Sequence, residues 1–173
     1  MVGSKSHFAN YERANLASVG HIWPTTLKNE DDGTILLKTI EDAIPIVVDN
    51  HVSPMAGLSL ESTHNLCSGR VIRMDYISQV RKILKKSKIS KLKFHLDGAR
   101  CWNAAVFLGV DLKTYTSDFD LLSVCLSKSM GCPAGSLIVG SHEDIKEARN
   151  LRKMLGGGMR QSGVFAACGI VSL

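Results

Sequence analysis

The sequence predicts an α/β fold built on a mostly parallel sheet with one antiparallel strand. Three observations lead there: short apolar runs alternate with segments of helical period, successive runs end in polar residues, and the last run follows its predecessor too closely for a parallel crossover. Between Phe8 and Val19 the apolar spacing is helical, and Val19 to Trp23 is extended until Pro24 stops it. Ile35, Leu36, Ile40, Ala43 and Ile44 mark a second helical face. Met55 to Leu60 reads as a strand that delivers Glu61-Ser62-Thr63-His64-Asn65 at its carboxyl end. Ile77, Val80 and Leu84 give a third helix whose last turn carries basic residues. Leu92 to Leu96 is the next strand, followed by Asp97-Gly98-Ala99-Arg100 and a small-residue helix from Trp102 to Leu108. Leu121 to Leu126 is another strand, with Ser127-Lys128 directly after it. Ala134 to Val139 makes the last one, and its connection is shorter than the roughly twelve residues a parallel crossover requires, so this pair is expected to be antiparallel. Ser141 and Asp144 form a capping box for a helix through Met154, which Gly156-Gly157-Gly158 must break.

A length of 173 residues with 45% hydrophobic and 21% charged residues fits one domain with a sizeable core and argues against disorder. No apolar run approaches the roughly 18 residues needed to cross a bilayer, and the opening Met-Val-Gly-Ser-Lys-Ser lacks a signal peptide's hydrophobic stretch. The expectation is a soluble, cytoplasmic protein with no membrane partner. Five cysteines, an odd number without a Cys-x-x-Cys pair, suggest reduced thiols used in packing, with neither a disulfide framework nor a metal site. The net charge of +5 is local: Arg81, Lys82, Lys85, Lys86, Lys88, Lys91 and Lys93 carry it, and without them the balance turns acidic. That run lacks the interleaved aromatics of a nucleic-acid stacking surface and reads as the exposed end of a surface helix, so no nucleic-acid partner is expected.

Ligands of open α/β sheets collect outside the carboxyl ends of the strands. Here three successive strands finish in Glu61 to Asn65, Asp97 to Arg100 and Ser127-Lys128, which brings acids, an arginine, a histidine and a lysine to one rim. Asp97 and Lys128 lie one strand-helix-strand unit apart, so they can face each other on neighbouring tips. Pyridoxal phosphate uses such a pair, a lysine amine for the Schiff base and a carboxylate opposite the pyridine nitrogen. By spacing alone, an aspartate after a strand is more often a helix cap and a loop lysine a solvated charge. His21, His51, His95 and His142 stand in no such pattern and read as structural or exposed.

The strings His95-Leu96-Asp97-Gly98-Ala99-Arg100, Cys125-Leu126-Ser127-Lys128-Ser129-Met130-Gly131 and Gly156-Gly157-Gly158-Met159-Arg160-Gln161-Ser162-Gly163 closely resemble those of the low-specificity L-threonine aldolases, pyridoxal phosphate enzymes of the aspartate aminotransferase fold (fold type I). Ser6-His7-Phe8-Ala9-Asn10-Tyr11-Glu12 resembles that family's segment bearing a stacking histidine, and Glu61-Ser62-Thr63-His64-Asn65 its Glu-Asn-Thr-His-Asn motif. The resemblance implies that Lys128 binds the cofactor covalently, Asp97 pairs with its ring nitrogen and His7 stacks on the ring. It implies Arg100 for the substrate carboxylate or the cofactor's phenolic oxygen, and His64 beside the β-hydroxyl. Ser127 and Arg160 are implied for the phosphate, with Lys153 and Arg160 serving a neighbouring subunit's site in a homo-oligomer, a dimer or tetramer. The implied reaction cleaves L-threonine or L-allo-threonine, a small β-hydroxy amino acid, to glycine and acetaldehyde. Another pyridoxal phosphate reaction, such as β-elimination or racemisation, a non-catalytic remnant, or nucleic-acid binding through the basic run are the alternatives. Against the family pattern, residues 1–173 are expected to be part of the large domain, truncated at both ends, without the N-terminal phosphate loop and the C-terminal small domain. Ala14-Asn15, Ser62 and Ser129 are smaller departures.

Overall fold

A computed structural model describes residues 1–46, 50–87 and 89–173; Lys88 of the basic run lies outside them. Strand β1 (Val2–Gly3) precedes two short helices, α1 (His7–Asn10) and α2 (Asn15–Ser18). The continuous helix expected between Phe8 and Val19 is broken because Arg13 and Ala14 adopt φ of 53° and 57°, left-handed values incompatible with a helix. Val19 to Trp23 carries no strand; β2 (Thr26–Leu27) forms beyond Pro24. Then follow α3 (Leu37–Ala43), β3 (Gly57–Glu61), a 3₁₀ turn (Asn65–Cys67), α4 (Met74–Lys86), β4 (Lys93–Asp97), α5 (Cys101–Leu108) and α6 (Leu112–Thr116). β5 (Leu121–Cys125), β6 (Ser136–Gly140), α7 (His142–Met154) and α8 (Gly163–Ser172) complete the order. The sequence pattern leaves out β1 and β2, which at two residues each are too short to show a period, and also α6 and α8.

The strands form one sheet in the order β2-β1-β3-β4-β5-β6. All pairings are parallel except β5 with β6, which is antiparallel as the short connection requires. Since the chain leaves β1 toward β2 on one side and returns to β3 on the other, the strand order reverses between β1 and β3. In open α/β sheets, ligands bind outside the carboxyl ends at such a reversal. Alternate residues Leu58 and Leu60, Phe94 and Leu96, and Leu122 and Val124 enter the core, where they join Ile77, Val80 and Leu84 of α4 and Ala104 and Ala105 of α5. Among the described residues, no helix is long and apolar enough to cross a membrane. The five cysteines are free thiols, three of them buried.

The basic run is not only a solvated helix end. Arg81 donates two hydrogen bonds of 2.7 Å to the Asp120 carboxylate, and Lys93 reaches both oxygens of Asp144 at 2.8 Å. The second pair also alters the α7 cap: Ser141 Oγ accepts from Asp144 N, but the Asp144 carboxylate turns to Lys93 and the Ser141 hydroxyl, so the reciprocal half of the expected box is missing. Asp120 Oδ2 further accepts from Phe94 N at 2.8 Å, which ties α4 to β4 and the start of β5. Burial pushes its carboxyl up, but Arg81 and the Phe94 amide outweigh that and hold it below the usual carboxylate range. A depressed folded-state pKa means that this stabilisation is present above the unfolded value near 3.8 and is lost as pH falls through the folded value. Asp120→Ala is expected to cost about 2 kcal/mol at pH 7, measured by urea unfolding, and much less at the acid end of that window.

Candidate active site

The rim is assembled from loops that leave the carboxyl ends of four strands. After β1, Ser6 caps α1 by accepting from Ala9 N, which sets His7 at the first helical position. Glu61, the last residue of β3, is 6% exposed and its carboxylate is fully engaged with backbone: Oε2 accepts from His7 N at 2.7 Å and Oε1 from Asn65 N at 2.9 Å. This one side chain fixes the β1 loop against the β3 loop. Register then carries the rim sideways, pairing Glu61 with Asp97 and Asp97 with Ser123.

Asp97 ends β4. Its Oδ1 accepts from Ala99 N at 3.2 Å, and Ser62 N donates to its carbonyl at 3.0 Å. Burial, with the nearby Glu61 charge, pushes its carboxyl above the usual range, while His7 and Lys128 act in the opposite sense. One polar atom each of His7, Glu12 and Asp97 lies within 4.8 Å of the others. His7 Nδ1 pairs with Glu12 Oε1 at 2.9 Å, and its ring meets that of Tyr11 at 5.3 Å between centroids. Lys128 follows β5, beside β4 in the sheet; it is exposed, and its ammonium has no hydrogen-bond partner among the described residues.

His64 is the most enclosed member, at 1% exposure, and neither ring nitrogen has a hydrogen-bond partner among the described residues. Glu61 Oε1 is 3.8 Å from Nδ1, too far for a hydrogen bond. Burial lowers the basicity of the ring. Gly33 closes over it with φ of +87°, and a Cβ there would lie 3.0 Å from His64 Cβ, so only glycine fits both the backbone and the space. Tyr76 holds the neighbouring turn, its hydroxyl donating to Ile35 O at 2.7 Å and accepting from Ile35 N at 2.9 Å. Beneath the loop, Ser62 Oγ accepts from the Tyr115 hydroxyl at 2.7 Å and from Ile72 N at 3.2 Å, an arrangement that employs the serine noted as a departure.

Of the residues expected at a site, the structure brings His7 and Asp97 together, sets His64 beside Glu61, and leaves Ser127 and Lys128 on the adjoining tip. Arg100 is half-buried at the start of α5, without a side-chain partner among the described residues. Lys153 and Arg160 lie exposed at the end of α7 and beyond it, and make no hydrogen bond or ion pair to the His7–Asp97 group. His95, read as structural or exposed, is structural: Ser59 Oγ bonds its Nδ1 at 2.8 Å, and burial lowers its pKa to about 4. Glu12 and Glu61 were missed as individual residues, although both fall inside the quoted strings.

A family model described as beta-eliminating lyase matches residues 1–173. The chain belongs to the beta-eliminating lyase family. Within that family it is similar to the low-specificity L-threonine aldolase 1 of Arabidopsis thaliana, at 41% identity over 174 residues, covering 100% of this chain and 48% of the relative. To the low specificity L-threonine aldolase of Escherichia coli K12 it is 40% identical, over 100% of this chain and 50% of the relative. This lyase-family chain therefore spans about half the length of the curated relatives it matches. A solved Leishmania major threonine aldolase shares its fold, with a TM-score of 0.69 at 20% identity over 90% of this chain and 44% of that one.

Proposed function

We propose that the rim is the cofactor site of a pyridoxal phosphate-dependent aldehyde-lyase, which cleaves L-threonine or L-allo-threonine to glycine and acetaldehyde. The observation that carries the reading is Asp97, a desolvated carboxylate at the tip of β4 with the His7 ring beside it and Lys128 on the next tip. A protonated ring nitrogen suits such a carboxylate, which is buried near Glu61 and holds one backbone N–H at 3.2 Å. Residues 1–173 supply the cofactor-binding part of the large domain.

Bound there, pyridoxal phosphate supplies an electron sink for the carbon left behind when the Cα–Cβ bond breaks. Lys128 would hold the cofactor through its amine. Asp97 keeps the ring nitrogen protonated, His7 covers one ring face, and Ser127 and Arg160 bind phosphate. Arg100 takes the substrate carboxylate, a bidentate match of guanidinium to carboxylate. His64, whose buried nitrogens lack partners, receives the hydrogen bond of the β-hydroxyl and holds its proton as the bond breaks. The protein acts in the cytoplasm as a homo-oligomer, in which Lys153 and Arg160 face a neighbouring subunit's site.

The family description favours one second reading, elimination of the β-hydroxyl as water to leave an enamine, whose imine form takes up water and hydrolyses to a 2-oxo acid and ammonia. The products decide. With excess cofactor and L-threonine, equal release of acetaldehyde and glycine is expected; 2-oxobutanoate and ammonia establish elimination instead. A folded chain that stays colourless with the cofactor and traps none on borohydride treatment overturns both.

A further inference from the structure

The Glu12 carboxylate is used at both oxygens. Oε1 pairs with His7 Nδ1 at 2.9 Å, and Oε2 accepts from Asn15 Nδ2 at 2.9 Å, which steadies the side chain from the far side. This approach depends on the early end of α1. In an uninterrupted helix, residues five apart stand roughly 140° apart around the axis and cannot pair. Because α1 ends at Asn10, with Tyr11 N bonded back to His7 O, the next residue folds onto the first turn. Arg13 and Ala14 then turn the chain through left-handed values into α2, where Asn15 meets Glu12.

An ionised carboxylate only accepts hydrogen bonds, so the nitrogen facing it must carry the hydrogen. We propose that Glu12 is a positioning residue for His7: it fixes the ring's orientation and keeps hydrogen on Nδ1, which leaves Nε2 as the nitrogen that gains or loses a proton. The His7 backbone is already pinned by Glu61 at 2.7 Å, so Glu12 removes the freedom that remains in the side chain. The functional use of this arrangement rests on the reading of His7 as the ring that covers the cofactor. Its structural content does not.

The test uses the 173-residue chain labelled with ¹⁵N, without cofactor, at a pH where imidazole is neutral. Long-range ¹H–¹⁵N spectra report which ring nitrogen is protonated, and the His7 signal is identified by its loss in His7→Phe. The native chain is expected to show Nδ1–H alone. Glu12→Ala is expected to release the ring into a mixture of both tautomers, and Glu12→Gln, whose amide oxygen accepts in the same place, to restore Nδ1–H. If Glu12→Ala does not fold, Asn15→Ala, which removes only the group steadying Oε2, is expected to shift the balance part-way. Nε2–H in the native chain, or an unchanged tautomer in the folded variant, overturns the proposal. A titration followed by absorbance adds the second readout: about tenfold weaker pyridoxal phosphate affinity in Glu12→Ala, with Glu12→Gln close to native. Unchanged affinity beside a shifted tautomer overturns the positioning role. Should the native chain bind no cofactor, the cofactor reading fails while the spectra still decide the tautomer.

Discussion

Lys128→Ala is expected to lower threonine cleavage by about 10³-fold or more while leaving the fold intact. The two effects separate because the side chain is exposed and its ammonium makes no hydrogen bond among the described residues, so its removal takes nothing from the core. Surface changes of that kind stay within about 0.5 kcal/mol in stability. The loss of activity follows from the proposed covalent role, since removing the group that forms the covalent bond costs orders of magnitude in turnover. Mass spectrometry of borohydride-treated native chain is expected to place the reduced cofactor on Lys128. Lys91 and Lys93 serve as internal controls, Lys93 being occupied by Asp144. An adduct on either of them, absent from Lys128, would falsify the assignment.

Asp97→Asn is expected to act with opposite signs on activity and on stability. A neutral amide cannot hold the cofactor's ring nitrogen protonated, so turnover at saturating cofactor and threonine should fall by about 100-fold or more. Without cofactor the same change should stabilise the chain. Burial and the Glu61 charge raise the Asp97 pKa in the folded state, so between the unfolded value of 3.8 and the folded value the native protein binds more protons than the unfolded one. Stability contributed by this group is therefore present below that window and lost as pH rises through it. At pH 7 the ionised side chain is a cost that asparagine avoids. Thermal unfolding midpoints at pH 7 should be higher for Asp97→Asn than for the native chain, and the difference should close below pH 3.8. A variant less stable than the native chain at pH 7 contradicts the desolvation account. Stability given up at a site for the sake of its chemistry is a common pattern.

Much of the sheet was legible because its long strands obey simple rules. Leu58 and Leu60 or Phe94 and Leu96 alternate with partly exposed neighbours, and the short link from Leu126 to Gly135 leaves only an antiparallel return to β6. The α4 stripe of Ile77, Val80 and Leu84 was equally plain, since a spacing of three and four residues has one helical meaning. The candidate site was legible only as a list of residues in the quoted strings, which include His7, Glu12, Glu61, His64, Asp97 and Lys128. Two-residue strands such as β1 and β2 have no period to read and exist only because neighbouring strands complete their hydrogen bonds.

The sequence by itself determined which residue types stand at each strand tip and in what order, because those follow from period, connection length and local motif. Only the tertiary structure decided how the tips meet. Glu61 bonds the His7 and Asn65 amides and so joins the β1 and β3 loops, Gly33 closes over His64, and Glu12 folds back on His7 because left-handed residues interrupt the expected helix. It also drew Arg81 and Lys93 out of a run that reads as solvated charge, by placing Asp120 and Asp144 within reach. The physical reason is the same in each case. Local pattern depends on residues a few positions apart, whereas the partner of a buried polar group, from Glu61 to Asp97, is set by which distant segments the packed core brings into hydrogen-bonding range.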